Sequence, residues 1–433
     1  MNGIISRIGN MLSKLGCLHA LSEEDIMKLM AILRQHLADK RYLIVIDDIW
    51  SIEEWSIING AFLQNGNGCI VITTTRSEDV ATASCTGCDG LVYTMRPLDG
   101  PDSRRLFFRR IFGSENGCPE NLHGVAKEIL KKCGGIPMAI IIIASLLASQ
   151  EEVTHLKNWL RVMYSLEFDL GRNQNSEWLR HVLNLCYNDL CHELKTCFLY
   201  LHIYPEDFEI SKFDLIGRWI AEGFIAERHG TEPEDVAESY FNDLINRSLI
   251  QPANFKYGEL VSCRVHDSML GLIVDKSTEV NFMTVISKHD RRTRASRFHR
   301  LCIHSNNGIF FPGDIRLKQV RSFTSFWYPR YEHSGCLPPL SSFAALRVLD
   351  LISQYRSSFV VITPVYDLSP VCDLPQLRYL RIHGPCFNLP NQIGSLRYLQ
   401  VVDVGDYGNA ILGELFGDMF NIIAASDHEC SKC

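Results

Sequence analysis

Arg41-Tyr42-Leu43-Ile44-Val45-Ile46-Asp47-Asp48-Ile49-Trp50 runs through five aliphatic or aromatic residues into two adjacent carboxylates. A run so rich in β-branched side chains predicts a strand buried on both faces, as in a parallel sheet. Ligands of open α/β sheets bind beyond the C-terminal ends of the strands, which is where Asp47 and Asp48 stand. A carboxylate at that edge can hold Mg²⁺, usually through water, while the ion bridges nucleotide phosphates. A neighbouring acid can orient the attacking water. The plain alternative is a buried strand capped by an Asp-Asp turn.

Upstream, Ser22 followed by Glu23, Glu24 and Asp25 reads as a helix start. Ile26, Leu29, Met30, Leu33 and Leu37 then repeat at helical spacing. Downstream, Cys69 to Arg76 predicts a second buried strand ending in Thr75-Arg76. If the two strands are parallel, Arg76 lies at the same edge as Asp47. An arginine there can neutralise a terminal phosphate and a threonine hydroxyl can hydrogen-bond one. Leu91-Val92-Tyr93 predicts a short third strand. Two strands with complementary charges at one edge have the shape of a Walker B strand and its partner.

Composition narrows the classes. With 433 residues, about two to four domains are expected. A hydrophobic content of 46% with 21% charged residues is globular rather than disordered. The net charge of −7 argues against bulk nucleic-acid binding. The 16 cysteines are scattered without framework spacing, so free thiols in a reducing compartment are expected. Cys85-x-x-Cys88 and Cys430-x-x-Cys433 have the spacing of zinc half-sites, but they lie far apart in the chain and coincidence is the simpler account. Met1 to Gly16 is amphipathic and lacks the apolar core of a signal peptide. The longest apolar run, Ile136 to Ala148, is too short for a membrane span. A soluble, intracellular chain without a transmembrane segment is therefore expected.

Beyond Arg96-Pro97 the pattern is helical. Asp102 to Phe112 and Val125 to Cys133 predict helices, the second stopped by Gly134-Gly135. Pro137 opens the apolar helix. Gly135 lets backbone approach a ligand closely, and Pro137 offers a flat apolar ring that can pack against a base; a plain helix stop and restart accounts for the turn equally well. Trp159 to Leu166, Leu179 to Leu190, Leu215 to Glu222 and Tyr240 to Ser248 are further helices. Leu249-Ile250 and Glu259 to Val265 form a hairpin, and helices followed by a hairpin suggest a winged helix. Between Lys195 and Gly223, three basic residues (Lys195, Lys212, Arg218) stand against five acids (Glu206, Asp207, Glu209, Asp214, Glu222), the wrong sign for a phosphate-facing helix. Lys288, Arg291, Arg292, Arg294, Arg297 and Arg300 make a basic stretch read as an exposed linker. After it, Phe343-x-x-Leu346-x-x-Leu349-x-Leu351 is matched by Leu374-x-x-Leu377-x-x-Leu380-x-Ile382 and by Leu396-x-x-Leu399-x-x-Val402-x-Val404. Three matches in register predict a leucine-rich-repeat solenoid with one strand per turn.

In this order, LIVIDDIW, ITTTR, CGGIPMAI, CFLYLHIYPEDFEI, RWIAEGFI, VHD and the repeats resemble the plant nucleotide-binding leucine-rich-repeat disease-resistance proteins of the NB-ARC type. Trp50 after the double Asp is similar to the coiled-coil-bearing branch. The resemblance implies a multidomain α/β plus α architecture. Its parts are a partial P-loop-NTPase-like parallel sheet (1–98), a helical domain (99–185), a winged helix (186–285), a basic linker (286–297), leucine-rich repeats (298–410) and a non-repeat tail (411–433). It implies an immunity switch that ADP closes and ATP opens, leading to defence and a hypersensitive response. It assigns Asp47 to Mg²⁺, Asp48 to catalysis beside it, Arg76 to phosphate sensing, Pro137 to adenine, and His266 and Asp267 to the histidine–aspartate step that reaches the ADP phosphate. Thr75 and Gly135 complete the expected nucleotide site. Partners implied are a pathogen effector or a guarded host protein bound through the repeats, and other receptors of the same kind; no direct nucleic-acid contact is expected. The expected location is the cytoplasm, with the plasma-membrane surface or the nucleus as alternatives.

No Gly-x-x-x-x-Gly-Lys-Ser/Thr occurs in the sequence. That loop supplies much of the grip on β- and γ-phosphates. The expectation is thus an N-terminally shortened copy, without coiled coil or phosphate loop. A nucleotide-free adaptor or decoy acting through its repeats is the alternative function, and ATP turnover is not expected to be its main business.

Overall fold

The computed structural model describes residues 26–62, 68–86, 90–150, 152–166, 176–226, 230–286, 299–304, 317–327, 338–353, 366–383, 387–388 and 390–403. The amphipathic start, the Ser22 helix signal, most of the basic stretch, Cys88, Val404 and the tail lie outside the described residues. The chain forms two compact units that divide between Arg96 and Pro97.

The first unit begins with α1 (Ile26–Leu37), followed by β1 (Leu43–Ile46), α2 (Ile52–Asn59), β2 (Ile70–Thr73) and α3 (Glu78–Cys85). The strands are parallel, with Leu43 opposite Ile70 and Ile46 opposite Thr73. Leu29, Leu33 and Leu37, one face of α1, pack with Ile46, Ile49, Trp55, Ile58 and Val80. Two sequence expectations fail here. The strands are covered on one face only among the described residues: Leu43, Val45, Ile70 and Ile72 are exposed. The pleat sends alternate side chains to opposite faces, and an apolar run says nothing about whether both faces find cover. Residues 91–93 are not a strand, and Leu91 and Tyr93 stand in solvent. The described sheet of this unit has two strands.

The second unit opens with helices. These are α4 (Gly100–Phe112), α5 (His123–Cys133), α6 (Pro137–Ala148), α7 (Leu156–Ser165), α8 (Ser176–Asp189) and α9 (His192–Tyr200). Asp99 caps α4 through the Asp102 N–H, and Gly113 closes it in the left-handed conformation. Then follow β3 (Ile210–Ser211), α10 (Lys212–Glu222), α11 (Pro233–Asn246), β4 (Gln251–Lys256), β5 (Glu259–Arg264) and α12 (Asp267–Glu279). The sheet order β3-β5-β4, antiparallel throughout, with its hairpin after the helices, is a winged helix.

The repeat strands are β6 (Thr284–Ile286), β7 (Arg300–Ile303), β8 (Ser322–Trp327), β9 (Val348–Ser353), β10 (Tyr366–Asp367), β11 (Tyr379–His383), β12 (Phe387–Asn388) and β13 (Val401–Asp403). Six of them form one parallel sheet in the order β13-β11-β9-β8-β7-β6, and β10 pairs with β12. Leu301, Phe323, Leu349, Leu351, Leu380, Ile382 and Val402 point into the solenoid core with Leu346, Leu377 and Leu399. The sheet therefore starts at Thr284, ahead of the expected linker. Arg300, read as part of that exposed linker, opens β7. Its guanidinium packs on Phe224 and Phe282 and pairs with the buried Glu222 carboxylate at 3.1 Å.

Candidate functional site

The C-terminal edge of β1 and β2 is laced by threonines. The Thr74 hydroxyl donates to Asp47 Oδ1 and accepts the Asp48 N–H at 2.8 Å. Asp48 takes a left-handed backbone (φ 56°), a conformation that Asp tolerates through its short polar side chain. The Ile49 N–H donates to the Thr74 carbonyl at 2.9 Å, so the chain after β1 continues to track β2. Arg76 Nε lies 3.6 Å from Asp48 Oδ1, and the Arg76 guanidinium carbon sits 4.8 Å from the centroid of the Trp50 ring. Asp47, Asp48 and Arg76 are thus gathered at one edge, as the parallel register requires.

Thr75 plays a different part from the expected one. Its hydroxyl proton goes to the Ile49 carbonyl at 2.7 Å, and its oxygen accepts the Ser77 N–H at 3.1 Å. A hydroxyl has one proton to give, so in this geometry Thr75 ties β2 to the chain after β1 instead of donating to a phosphate. Thr74 is the residue the sequence reading missed. Of three consecutive threonines, only its neighbour relation across the parallel ladder singles it out.

The donor set also speaks to the metal. Among the described residues no group of three His, Cys, Asp or Glu side chains could enclose an ion. One exposed carboxylate, Asp47, backed by a threonine hydroxyl, suits Mg²⁺ that arrives with phosphate oxygens and keeps its waters. It does not suit a dedicated protein cage.

The other expected residues lie in the second unit. Gly134 and Gly135 both have positive φ, 58° and 71°. The Gly135 carbonyl accepts the Leu98 N–H at 2.9 Å. A Cβ on Gly135 would stand 2.3 Å from the Leu98 carbonyl oxygen. The close approach that this glycine permits is to the chain's own Pro97-Leu98 segment. Pro137 is exposed at the first position of α6. His266 caps α12: its Nδ1 accepts the Ser268 N–H at 3.2 Å, and its carbonyl accepts from Met269 and Leu270. That bond uses the Nδ1 lone pair, which assigns the proton of the neutral ring to Nε2, the nitrogen able to donate to an anionic oxygen. Asp267 follows in the first turn, where a negative charge complements the helix dipole.

Side chains of the repeat strands that point away from the solenoid core form the second face of the repeat sheet. Ser322, Thr324, Phe326, Val348, Asp350, Tyr379, Arg381 and Asp403 all lie on it, and all are buried. Helix α10 and the end of α9 cover it. Tyr200 and Ser322 hydroxyls are 3.1 Å apart, and Arg218 donates to Thr324 at 3.2 Å. Arg218 pairs with Asp350, and Arg381 clamps the same carboxylate with two hydrogen bonds of 2.9 Å. Arg381 also pairs with Asp214 on α10. Gly217 lets the helix come close: a Cβ there would lie 3.3 Å from the Tyr379 ring and 3.4 Å from Val401. The helix before the wing hairpin, α11, carries Glu234, Asp235, Glu238 and Asp243 and no Lys or Arg, which continues the sign unsuited to nucleic acid. The ten described cysteines are free thiols, and burial pushes those of Cys133, Cys186 and Cys263 up to about 12. No described helix is long and apolar enough to cross a membrane.

An NB-ARC domain model matches residues 2–112, a disease resistance protein winged helix domain matches 203–273, and a leucine-rich repeat region matches 319–421. The chain is 36% identical over 391 residues to disease resistance protein RGA5 of Oryza sativa subsp. japonica, covering 89% of this chain and 34% of that protein. It is 33% identical over 417 residues to ToMV susceptible protein tm-2 of Solanum lycopersicum, covering 92% and 46%. It is 35% identical over 383 residues to disease resistance protein Pik-2 of Oryza sativa subsp. japonica, covering 86% and 36%. The chain therefore spans between about a third and a half of the length of these curated relatives.

Proposed function

We propose a function from one premise: the chain belongs to the plant NB-ARC leucine-rich-repeat disease-resistance proteins. On that premise it is a cytoplasmic immunity switch that holds ADP in its resting state and exchanges it for ATP when a pathogen effector or a guarded host protein engages it. The observation that carries the nucleotide part is the gathering of Asp47, Asp48 and Arg76 at one edge of a parallel sheet. Arg76 donates to the terminal phosphate, where a planar guanidinium matches phosphate oxygens. Mg²⁺, when bound, neutralises charge on the β- and γ-phosphates. Asp47 would hold that ion, and Asp48 keeps Arg76 at the edge. Pro137 offers its ring to the base. By the family resemblance His266, whose Nδ1 caps α12, would offer Nε2 to the diphosphate.

The test is the nucleotide content of the purified chain. Denaturing it and chromatographing the supernatant should release about one ADP per chain. A supernatant without nucleotide rejects the switch and leaves an adaptor. Such an adaptor would have to bind through surfaces other than the sheet face that α10 covers. A second measurement addresses the step at His266 and Asp267. Asp267→Val expressed in leaf tissue should cause cell death without a pathogen, and silence from a normally accumulating variant rejects the role of that step.

A further inference from the structure

Trp50 is a large aromatic side chain that the core does not use. Ile49 before it and Trp55 after it are buried in the first unit, whereas Trp50 is 59% exposed. Its backbone is nonetheless fixed. The Trp50 N–H donates to Glu54 Oε2 at 3.2 Å, and the Glu54 N–H donates to Ser51 Oγ at 3.1 Å. This is a capping arrangement that sets how α2 starts. The indole is the face over which Arg76 lies, with its guanidinium carbon 4.8 Å from the ring centroid. Asp48, two residues before Trp50, approaches the Nε side of the same guanidinium at 3.6 Å. One short segment after β1 therefore contacts Arg76 in two ways, by a charge and by an aromatic face.

We propose that Trp50 is a positioning residue for Arg76, holding the guanidinium plane against the indole so that its N–H edges meet the terminal phosphate of a bound nucleotide. The proposal rests on the nucleotide reading of this edge. Stacking engages the π face of a guanidinium, while phosphate is bound in its plane by the N–H groups, so the two contacts do not compete. Without the indole, Arg76 keeps its charge and its Asp48 contact but loses the constraint on its plane. More of the side chain's rotamer freedom is then given up when phosphate binds, which weakens the contact.

Four variants of the full chain test this: Trp50→Leu, Trp50→Phe, Arg76→Ala and the double variant Trp50→Leu/Arg76→Ala. The Trp50 side chain is exposed, so these changes leave the core packing alone. The first readout needs no nucleotide. In the arginine-labelled chain the Arg76 δ-protons should resonate upfield through the indole ring current, and Trp50→Leu should abolish that shift; an unshifted wild-type signal overturns the proposal. The second readout is the ratio of ATP to ADP affinity, measured with fluorescent analogues of each. Trp50→Leu should change that ratio by about two- to fivefold, the factor expected of an exposed cation–π contact. Trp50→Phe, which keeps a π face, should restore most of it. In the Arg76→Ala background, Trp50→Leu should do nothing further, because the two residues act through one contact. Additive effects overturn the positioning role while leaving the nucleotide reading intact. Absence of any nucleotide binding by the wild-type chain overturns the nucleotide reading and Trp50's role with it, even where the ring-current shift is present.

Discussion

At Gly135 a Cβ would stand 2.3 Å from the Leu98 carbonyl oxygen, and φ is 71°. At Gly134, one residue earlier, φ is 58° and a Cβ would meet nothing within 4 Å. The two glycines look alike in the sequence and should respond differently. Gly134→Ala is expected to cost about 1 kcal/mol, the price of a left-handed alanine. Gly135→Ala adds a backbone clash and should cost about 3 kcal/mol or more. Urea midpoints of the two variants measure this directly, and equal midpoints would show that the Leu98 segment simply moves away. The Gly-Gly turn was legible in the sequence as a break and a close approach. What approaches it was not, because Pro97 and Leu98 come near only through the tertiary fold. The same limit explains the threonines. Thr74 and Thr75 are chemically identical, and only the parallel pairing of β1 with β2 decides that Thr74 reaches Asp47 and Thr75 the Ile49 carbonyl.

Among the elements, α10 and the repeat sheet meet across buried charge. Asp350 is fully buried and serves two arginines, Arg218 from the helix and Arg381 from the adjacent strand. Removing one partner of a buried pair leaves an uncompensated charge, which costs about 3–5 kcal/mol. Asp350→Ala is therefore expected to destabilise the second unit by that amount. It should also speed hydrogen exchange of the α10 amides more than those of α4; unchanged exchange in α10 would show that the apolar contacts of Ala221, Val348 and Tyr379 hold the helix alone. This network was in principle readable. Asp350 and Arg381 occupy the same place between the apolar positions of two matched repeats, and they are register partners across β9 and β11. A reading of the leucines alone leaves these positions unassigned. A second inter-element contact is sensitive to pH. His202, just after α9, lies 2.9 Å from the Ser277 hydroxyl on α12, and His304, just after β7, lies 2.6 Å from the Ile203 carbonyl. Burial, with His304 nearby, lowers His202 from 6.5 to about 4. The unfolded chain therefore binds this proton more readily than the folded one. The stability from keeping the ring neutral is complete above about pH 6.5, declines as pH falls, and is lost by about pH 4; the difference is about 3 kcal/mol. His202→Gln should flatten the stability profile across that window, and an unchanged slope would place the acid sensitivity elsewhere.

For the whole molecule, the order of segments was legible, and the division of the chain into cores was less so. The helical spacing of Leu29, Leu33 and Leu37 and the leucine repeats each mark one side of one element, which is what periodicity reports. It does not report which elements share a core. One continuous apolar cluster runs from Phe107 and Trp159 in the helices, through Phe198, Trp219 and Phe241 of the winged helix, to Cys302 and Phe326 on the repeat strands. The boundary expected at residue 185 is bridged by polar contacts as well. Arg110 on α4 donates to Ser145 on α6 at 2.9 Å and to the Asn246 carbonyl at 2.7 Å, and Ser145 and Ser248 hydroxyls are 3.0 Å apart. Arg180 on α8 pairs with Asp275 on α12 at 3.3 Å. A shared core predicts shared unfolding. Phe108→Ala, in the helices, and Phe241→Ala, in the winged helix, each remove a large buried ring and should each cost about 3–5 kcal/mol. Both should lower the same calorimetric transition of the full chain, without splitting it. If Phe108→Ala moved one transition and Phe241→Ala another, the helices and the winged helix would be separate folding units, and a change at α12 could not rely on a common core to reach α4. A single shifted transition in both variants would instead mean that strain placed at α12 is transmitted through close-packed side chains to every helix that shares the core.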